Sequence, residues 1–230
     1  ALAIILGIWG PSLLVMVFLA GLSALIMVGF IARIDGRTEI ITVILSGMVV
    51  GSLFSAFVSL IQFVADPNSS LPAIVYWLMG SFATATWERV MIAAPGLLVG
   101  LAVLWALRFR LNVLSLDDTE ARSLGANPDR ERWLIFALVA LVVGCQVAVS
   151  GIVGWVGLVI PHATRLLVGY DHRRLLPAAA LLGAAFMVTI DTLARTVTAA
   201  EIPLGVLTAI VGAPVFGLLV RRHFRERTAR

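Results

Sequence analysis

The chain has no lysine; all 17 of its basic residues are arginine. A Walker-A phosphate loop needs a Gly-Lys-Ser/Thr run to hold nucleotide phosphates. Any ATP that drives this protein is therefore bound by another subunit. Charge is scarce altogether. Only 13% of residues are charged and 60% are hydrophobic, against about 25% charged in soluble domains. Mean hydropathy is +1.04. So little polar side-chain area cannot cover a soluble fold, and lipid must be the solvent for most of the length. Cysteine is nearly absent too. Cys145 stands alone in an apolar run, which excludes a disulfide framework or a cysteine metal site. It reads as a small buried hydrophobe. No cofactor is implied.

What is there is a series of apolar segments. A membrane-spanning helix needs about 20 apolar residues. Residues 1–8 read as the end of one helix, because Trp9-Gly10-Pro11 breaks the run and Pro suits a first helical position. No charged n-region precedes them, so they are not a signal peptide, and the chain is expected to be a piece of a longer one. Full spans are expected over 11–31, 40–65, 90–107, 133–149, 152–168, 175–197 and 204–220. Residues 71–86 are apolar but short and glycine-interrupted, and suit an interfacial or re-entrant helix. The expected fold is thus all-α, a polytopic bundle of about seven complete membrane helices plus the end of one more. It forms a single domain over 1–230.

Orientation follows from arginine. Alternate crossings put the tail, the 165–174 region, the 108–132 loop and the 33–37 loop on one side, and these hold all arginines except Arg89 and Arg195. That side is expected to be cytoplasmic, with the C-terminus. This topology also accounts for the isoelectric point of about 10.5 without invoking nucleic acid. Trp9, Trp77, Trp87, Trp105, Trp133 and Trp155 lie near segment ends, as an aromatic belt requires.

Four features stand out from this background. Ser52, Ser55, Ser59 and Gln62 fall on one helical stripe beside Gly47 and Gly51. The stripe lines a wet pathway, or it packs helices through small residues and hydroxyls. Asp191 and Arg195 are spaced to pair on one helix, acid first, as a docking or structural pair. A proton relay would want the acid nearer the middle. His162 follows Pro161 with no partner motif, so it is expected to be satisfied locally rather than to hold a metal.

The fourth feature is the polar stretch 111–132, the longest in the chain. Thr119 to Gly125 reads as a short helix with a glycine C-cap, and Asn127-Pro128-Asp129 opens a second turn. Two short helices there suit a soluble partner; a solvated connector is the plainer reading.

Longer motifs decide among these readings. Gly151-Ile-Val-Gly-Trp-Val-Gly-Leu-Val-Ile-Pro-His162 runs into Arg165-Leu-Leu-Val-Gly-Tyr-Asp-His-Arg-Arg-Leu-Leu-Pro177. Residues 178–195 end in Asp-Thr-Leu-Ala-Arg, and Glu201-Ile-Pro-Leu-Gly-Val-Leu-Thr-Ala-Ile-Val-Gly-Ala-Pro214 follows. This pattern resembles the FecCD-type ABC permeases, which take up iron-siderophore, haem and cobalamin. The resemblance implies a type II ABC importer permease fold of roughly ten membrane helices, of which this chain holds about the last seven. It also implies a bacterial inner-membrane homodimer, two ABC ATPase subunits and a periplasmic substrate-binding protein.

Residue roles follow from the same resemblance. Leu116, Asp117, Glu120, Ala121, Arg122, Ser123, Leu124 and Gly125 would dock the ATPase. Arg195 would pair with a carboxylate of the binding protein, and Ser52, Ser55, Ser59 and Gln62 would belong to a pathway-lining helix. The chain would not itself be an enzyme. A secondary transporter or channel is the competing class. It would carry acidic residues at mid-membrane or a selectivity motif, and neither is found in the expected spans.

Overall fold

The computed structural model describes residues 1–228 except 9, 35–36, 39, 84 and 199–200. Trp9 and the middle of the 33–39 loop therefore lie outside the described residues. Eleven helices follow in order among those described: α1 (Leu2–Ile5), α2 (Pro11–Ala32), α3 (Ile40–Val64), α4 (Ser70–Leu78), α5 (Trp87–Ala106), α6 (Arg108–Val113), α7 (Asp118–Ser123), α8 (Pro128–Ser150), α9 (Val156–Val168), α10 (His172–Thr196) and α11 (Leu204–Thr228). A two-residue antiparallel pair, β1 (Arg33–Ile34) and β2 (Arg37–Thr38), turns the chain between α2 and α3.

Helices α2, α3, α5, α8 and α10 are long and apolar enough to cross a bilayer. Helix α9 and the apolar part of α11, Leu204–Leu219, are shorter. Each of the seven expected apolar segments contains a helix, though that of 152–168 starts late. Helix α4 is too short to cross, as its length foretold.

Several boundaries differ from the sequence reading, and three of them are set by side-chain caps. Asn127 accepts the Arg130 N–H at 3.2 Å with Pro128 in the first turn. The polar residues 128–132 are therefore the first turn of α8 rather than a second short helix. Thr86 accepts the Arg89 N–H at 3.3 Å and starts α5 at Trp87. Asp171 accepts the Arg173 N–H at 3.0 Å and starts α10 at His172. Each such cap is worth about 1 kcal/mol and fixes where a helix begins. Helix α11 runs on into the basic tail, to Thr228. Residues 108–113, read as loop, form α6.

The helices group in two. Helix α8 packs on α2 and α5, and α2 on α3; α9, α10 and α11 pack on one another. Helices α5 and α8 approach closely because Gly96 and Gly100 carry no side chain there. A Cβ on Gly96 would sit 2.7 Å from Cys145 Sγ. Cys145 is buried, as expected. The Gly47–Gly51 pair on α3, by contrast, faces open space, so within the chain it is α5 rather than α3 that packs through small residues.

At the arginine-poor end the two groups meet through backbone. Unpaired backbone groups are costly in lipid, and the non-helical segments here bond to one another. Ser81 N–H donates to the Ser150 carbonyl, Leu204 N–H to the Gly80 carbonyl and Gly205 N–H to the Met79 carbonyl, each at 2.9 Å. Gly151 ends α8 at φ +70° with the Trp77 carbonyl where a Cβ would stand, so only glycine fits. Residues 151–155 are consequently not helical, and the expected segment 152–168 begins as helix only at Val156. Ile190, Ala194 and Leu204 form a buried cluster beneath this junction, against Phe82, Val153, Phe186 and Leu207.

Candidate functional site

The arginine-rich end is built on α6, α7 and the first turns of α8 and α10. Asp117 caps α7: its carboxylate accepts the Thr119 N–H at 3.2 Å and the Thr119 hydroxyl at 2.5 Å. These bonds, the side-chain one foremost, hold its carboxyl below the usual carboxylate range. Gly125 follows α7 at φ +79°. That is the left-handed position glycine takes after a helix end, and it reverses the chain toward α8.

Three ion pairs bind this region to the start of α8. Arg132 meets Asp118 at 2.6 Å, Arg122 meets Asp129 at 2.9 Å and Arg110 meets Glu131 at 2.6 Å. Exposed pairs contribute about 0–1 kcal/mol each. As a network they hold α6 and α7 in one orientation against α8. Ala121 is 1% exposed and seats α7. Leu116 and Leu124, 42% and 65% exposed, stand outward with Glu120, Arg122, Ser123 and Gly125. Two exposed leucines on a charged segment are what a partner surface would use.

At the opposite end, Arg195 Nε donates to Asp191 Oδ2 at 3.0 Å and Nη1 to Glu201 Oε1 at 3.4 Å. The expected pair forms, and Glu201 joins it from beyond the helix end. One arginine here balances two carboxylates. A guanidinium with five donors keeps some free for a further carboxylate.

The Ser52, Ser55, Ser59 and Gln62 stripe lies along α3. The three serines are exposed and Gln62 is half-buried. Ser52 Oγ donates to the Met48 carbonyl at 2.9 Å and Ser59 Oγ to the Ser55 carbonyl at 3.0 Å. Their hydroxyls are thus satisfied within their own helix, and among the described residues no hydrogen bond ties the stripe to a neighbouring helix. The face is open within this chain.

His162 is satisfied locally, as expected. Its Nδ1 lies 2.8 Å from the Leu158 carbonyl and its ring stands edge-on to Phe216. Among the described residues no group of His, Cys, Asp or Glu is arranged to hold a metal.

Sequence reasoning missed Asn112, Asp118, Glu131 and Glu201. Asp118 and Arg132 are 14 residues apart, and Asn112 bonds some 60 residues along the chain. No local period relates such positions. A run of Asp and Glu opposite the arginines of 108–132 was the available signal.

Taken together, the fold is that of a polytopic α-helical membrane protein. The match to known proteins gives the family. The model of the FecCD transport family covers residues 1–222, and the chain belongs to that family. It is 45% identical over 219 residues to the molybdate import system permease protein MolB of Haemophilus influenzae, covering 95% of this chain and 65% of that protein. It is 42% identical over 204 residues to the cobalamin import system permease protein BtuC of Halobacterium salinarum, covering 89% and 54%. The hemin transport system permease protein HmuU of Yersinia pestis is 39% identical over 195 residues, covering 84% and 58%. A solved chain described as a metal-chelate type ABC transporter in an inward-facing conformation superposes with a TM-score of 0.77 at 48% identity, over 80% of this chain and 60% of that one. The chain spans less than two thirds of the length of each of these proteins.

Proposed function

We propose that the chain belongs to the membrane-spanning permease subunit of an ATP-binding cassette importer in the bacterial inner membrane. Two copies form a central pathway. Two ABC ATPase subunits sit below it and a periplasmic binding protein above. The cargo is a metal chelate or similar bulky nutrient, such as iron-siderophore, haem or cobalamin. ATP binding closes the ATPase dimer, moves the 116–125 segments, and rocks the helix groups as rigid bodies between inward- and outward-open states.

The observation that carries this reading is the segment around α7. It lies at the arginine-rich, hence cytoplasmic, end. Ion pairs fix it to a long membrane helix while two leucines are left uncovered. Residues 1–230 hold no lysine and so no Walker-A loop of their own, and this surface suits a separate ATPase subunit. At the other end, Arg195 is held ready for a carboxylate of the binding protein. The Ser52–Ser55–Ser59 face of α3 is the polar wall of the pathway between the two copies. The lack of buried charge there agrees with a cargo passed on rather than held. The chain is similar to permeases whose names give molybdate, cobalamin and hemin as cargo, which favours a shared permease body with affinity supplied by the binding protein.

The test is protection of the surface. Leu124→Cys, in the full-length permease, should react with a maleimide when the ATPase subunits are absent. It should be shielded by about tenfold or more when they are bound, as a residue in an interface core is. Equal reactivity in both states would remove α7 from the interface and the docking role with it.

A further inference from the structure

Asn112 sits on α6, just ahead of the docking segment, and reaches across to the start of α10. Its Nδ2 donates to Asp171 Oδ1 at 2.7 Å. Its Oδ1 accepts the His172 backbone N–H at 2.9 Å and lies 2.7 Å from His172 Nδ1, so that Nδ1 carries the proton. One side-chain amide therefore meets three groups of two adjacent residues, one of them a carboxylate. Asp171 is at the same time the cap of α10. Its carboxyl is held below the ordinary range, first by the Arg173 N–H and then by Asn112. Helices α6 and α10 also pack directly on each other.

The place of this clasp matters more than its strength. It joins the two helix groups at the arginine-rich end, where α6 continues α5 and leads within a few residues into α7. Helix α10 then runs 25 residues, about 37 Å at 1.5 Å per residue, to Asp191, Arg195 and the Glu201 pair. The clasp and Arg195 are thus placed at the two ends of one helix. Three bonds from one side chain resist sliding of α6 along α10, where apolar packing alone would permit it.

We propose that the Asn112–Asp171–His172 clasp is the joint that delivers movement of the docking segment to α10, and that Asn112 is a positioning residue for transport. This rests on the importer reading above. A partner that displaces α7 drags α6 with it. The clasp passes that displacement to the foot of α10, and the helix carries it to the external face.

The test uses the full-length permease with its ATPase and binding-protein subunits in proteoliposomes, and reads substrate taken up per ATP hydrolysed. Asn112→Asp sets a carboxylate against that of Asp171 while still accepting from His172. The ratio should fall by about tenfold or more, within the range of coupling between bonded neighbours. Adding Asp171→Asn restores a donor between the two positions, and asparagine still caps α10. The double variant should return to within about twofold of wild type. Asn112→Ala removes all three bonds without adding charge and should also lower the ratio.

A wild-type ratio in Asn112→Asp or in Asn112→Ala overturns the proposal. So does a double variant as impaired as Asn112→Asp, or a loss confined to melting temperature and yield with the ratio unchanged. Absence of ATP-dependent uptake by the wild-type complex would instead overturn the importer reading itself.

Discussion

Gly125 carries a conformational demand that no other residue type meets equally. At φ +79° with nothing within 4 Å of where its Cβ would be, the cost of substitution is in the backbone rather than in a clash. A β-branched residue in the left-handed region costs roughly 1–2 kcal/mol, whereas asparagine enters it more readily. Gly125→Val should move the end of α7, and Leu124 with it. Uptake per ATP hydrolysed should fall in reconstituted complexes, with Gly125→Asn close to wild type. Normal coupled transport in the valine variant would count against the docking role. Arg195 is the complementary case at the arginine-poor end. Its two carboxylate partners fix the direction of the guanidinium.

Among the elements, the junction of α4, α8, α10 and α11 at the arginine-poor end encloses a small buried cluster. Ile190 is 2% exposed and Leu204 1%, with Ala194 at 2% between them. Ile190→Ala should lower stability by about 2–5 kcal/mol, and Ile190→Val by about 0.5–1.5 kcal/mol. Thermal unfolding in detergent measures the difference. If the alanine variant melts like wild type, this cluster does not hold α10 to α11. The elements at the other end are joined by polar groups instead: ion pairs between α7 and α8, and the asparagine clasp between α6 and α10. The two helix groups are thus held by an apolar cluster and backbone hydrogen bonds at one end and by side-chain polar groups at the other.

For the molecule as a whole, the decisive question is which end faces the cytoplasm. Cys145 is buried against α5, so single cysteines placed at the ends report without interference. Asn68→Cys, between α3 and α4, should react with a membrane-impermeant maleimide in intact cells. Arg130→Cys, exposed at the start of α8, should react only in inverted vesicles. The opposite pattern would put the α7 segment outside the cell and end its role as an ATPase socket. The exposed apolar faces of α2 and α3, with Phe30 86% and Phe63 87% exposed, need lipid or further helices to cover them.

The positions of the seven apolar segments and the arginine asymmetry were legible residue by residue. Lipid punishes every polar backbone and side-chain group, so composition alone dictates where the helices must be. The same holds for the Asp191–Arg195 pair, four residues apart on one helix, and for the glycine that ends α7, because both are local. The extent of α8 back to Pro128 was missed, since a cap can draw charged residues into a helix that hydropathy ends. The break at 151–155 was missed too, since it exists only because the Trp77 carbonyl and the 203–205 turn come to meet it. Tertiary structure decided which glycines pack, which helices group, and that Asn112 meets Asp171 and His172. These depend on three-dimensional approach between residues far apart in the chain, and a periodicity of 3.6 residues carries no information about them.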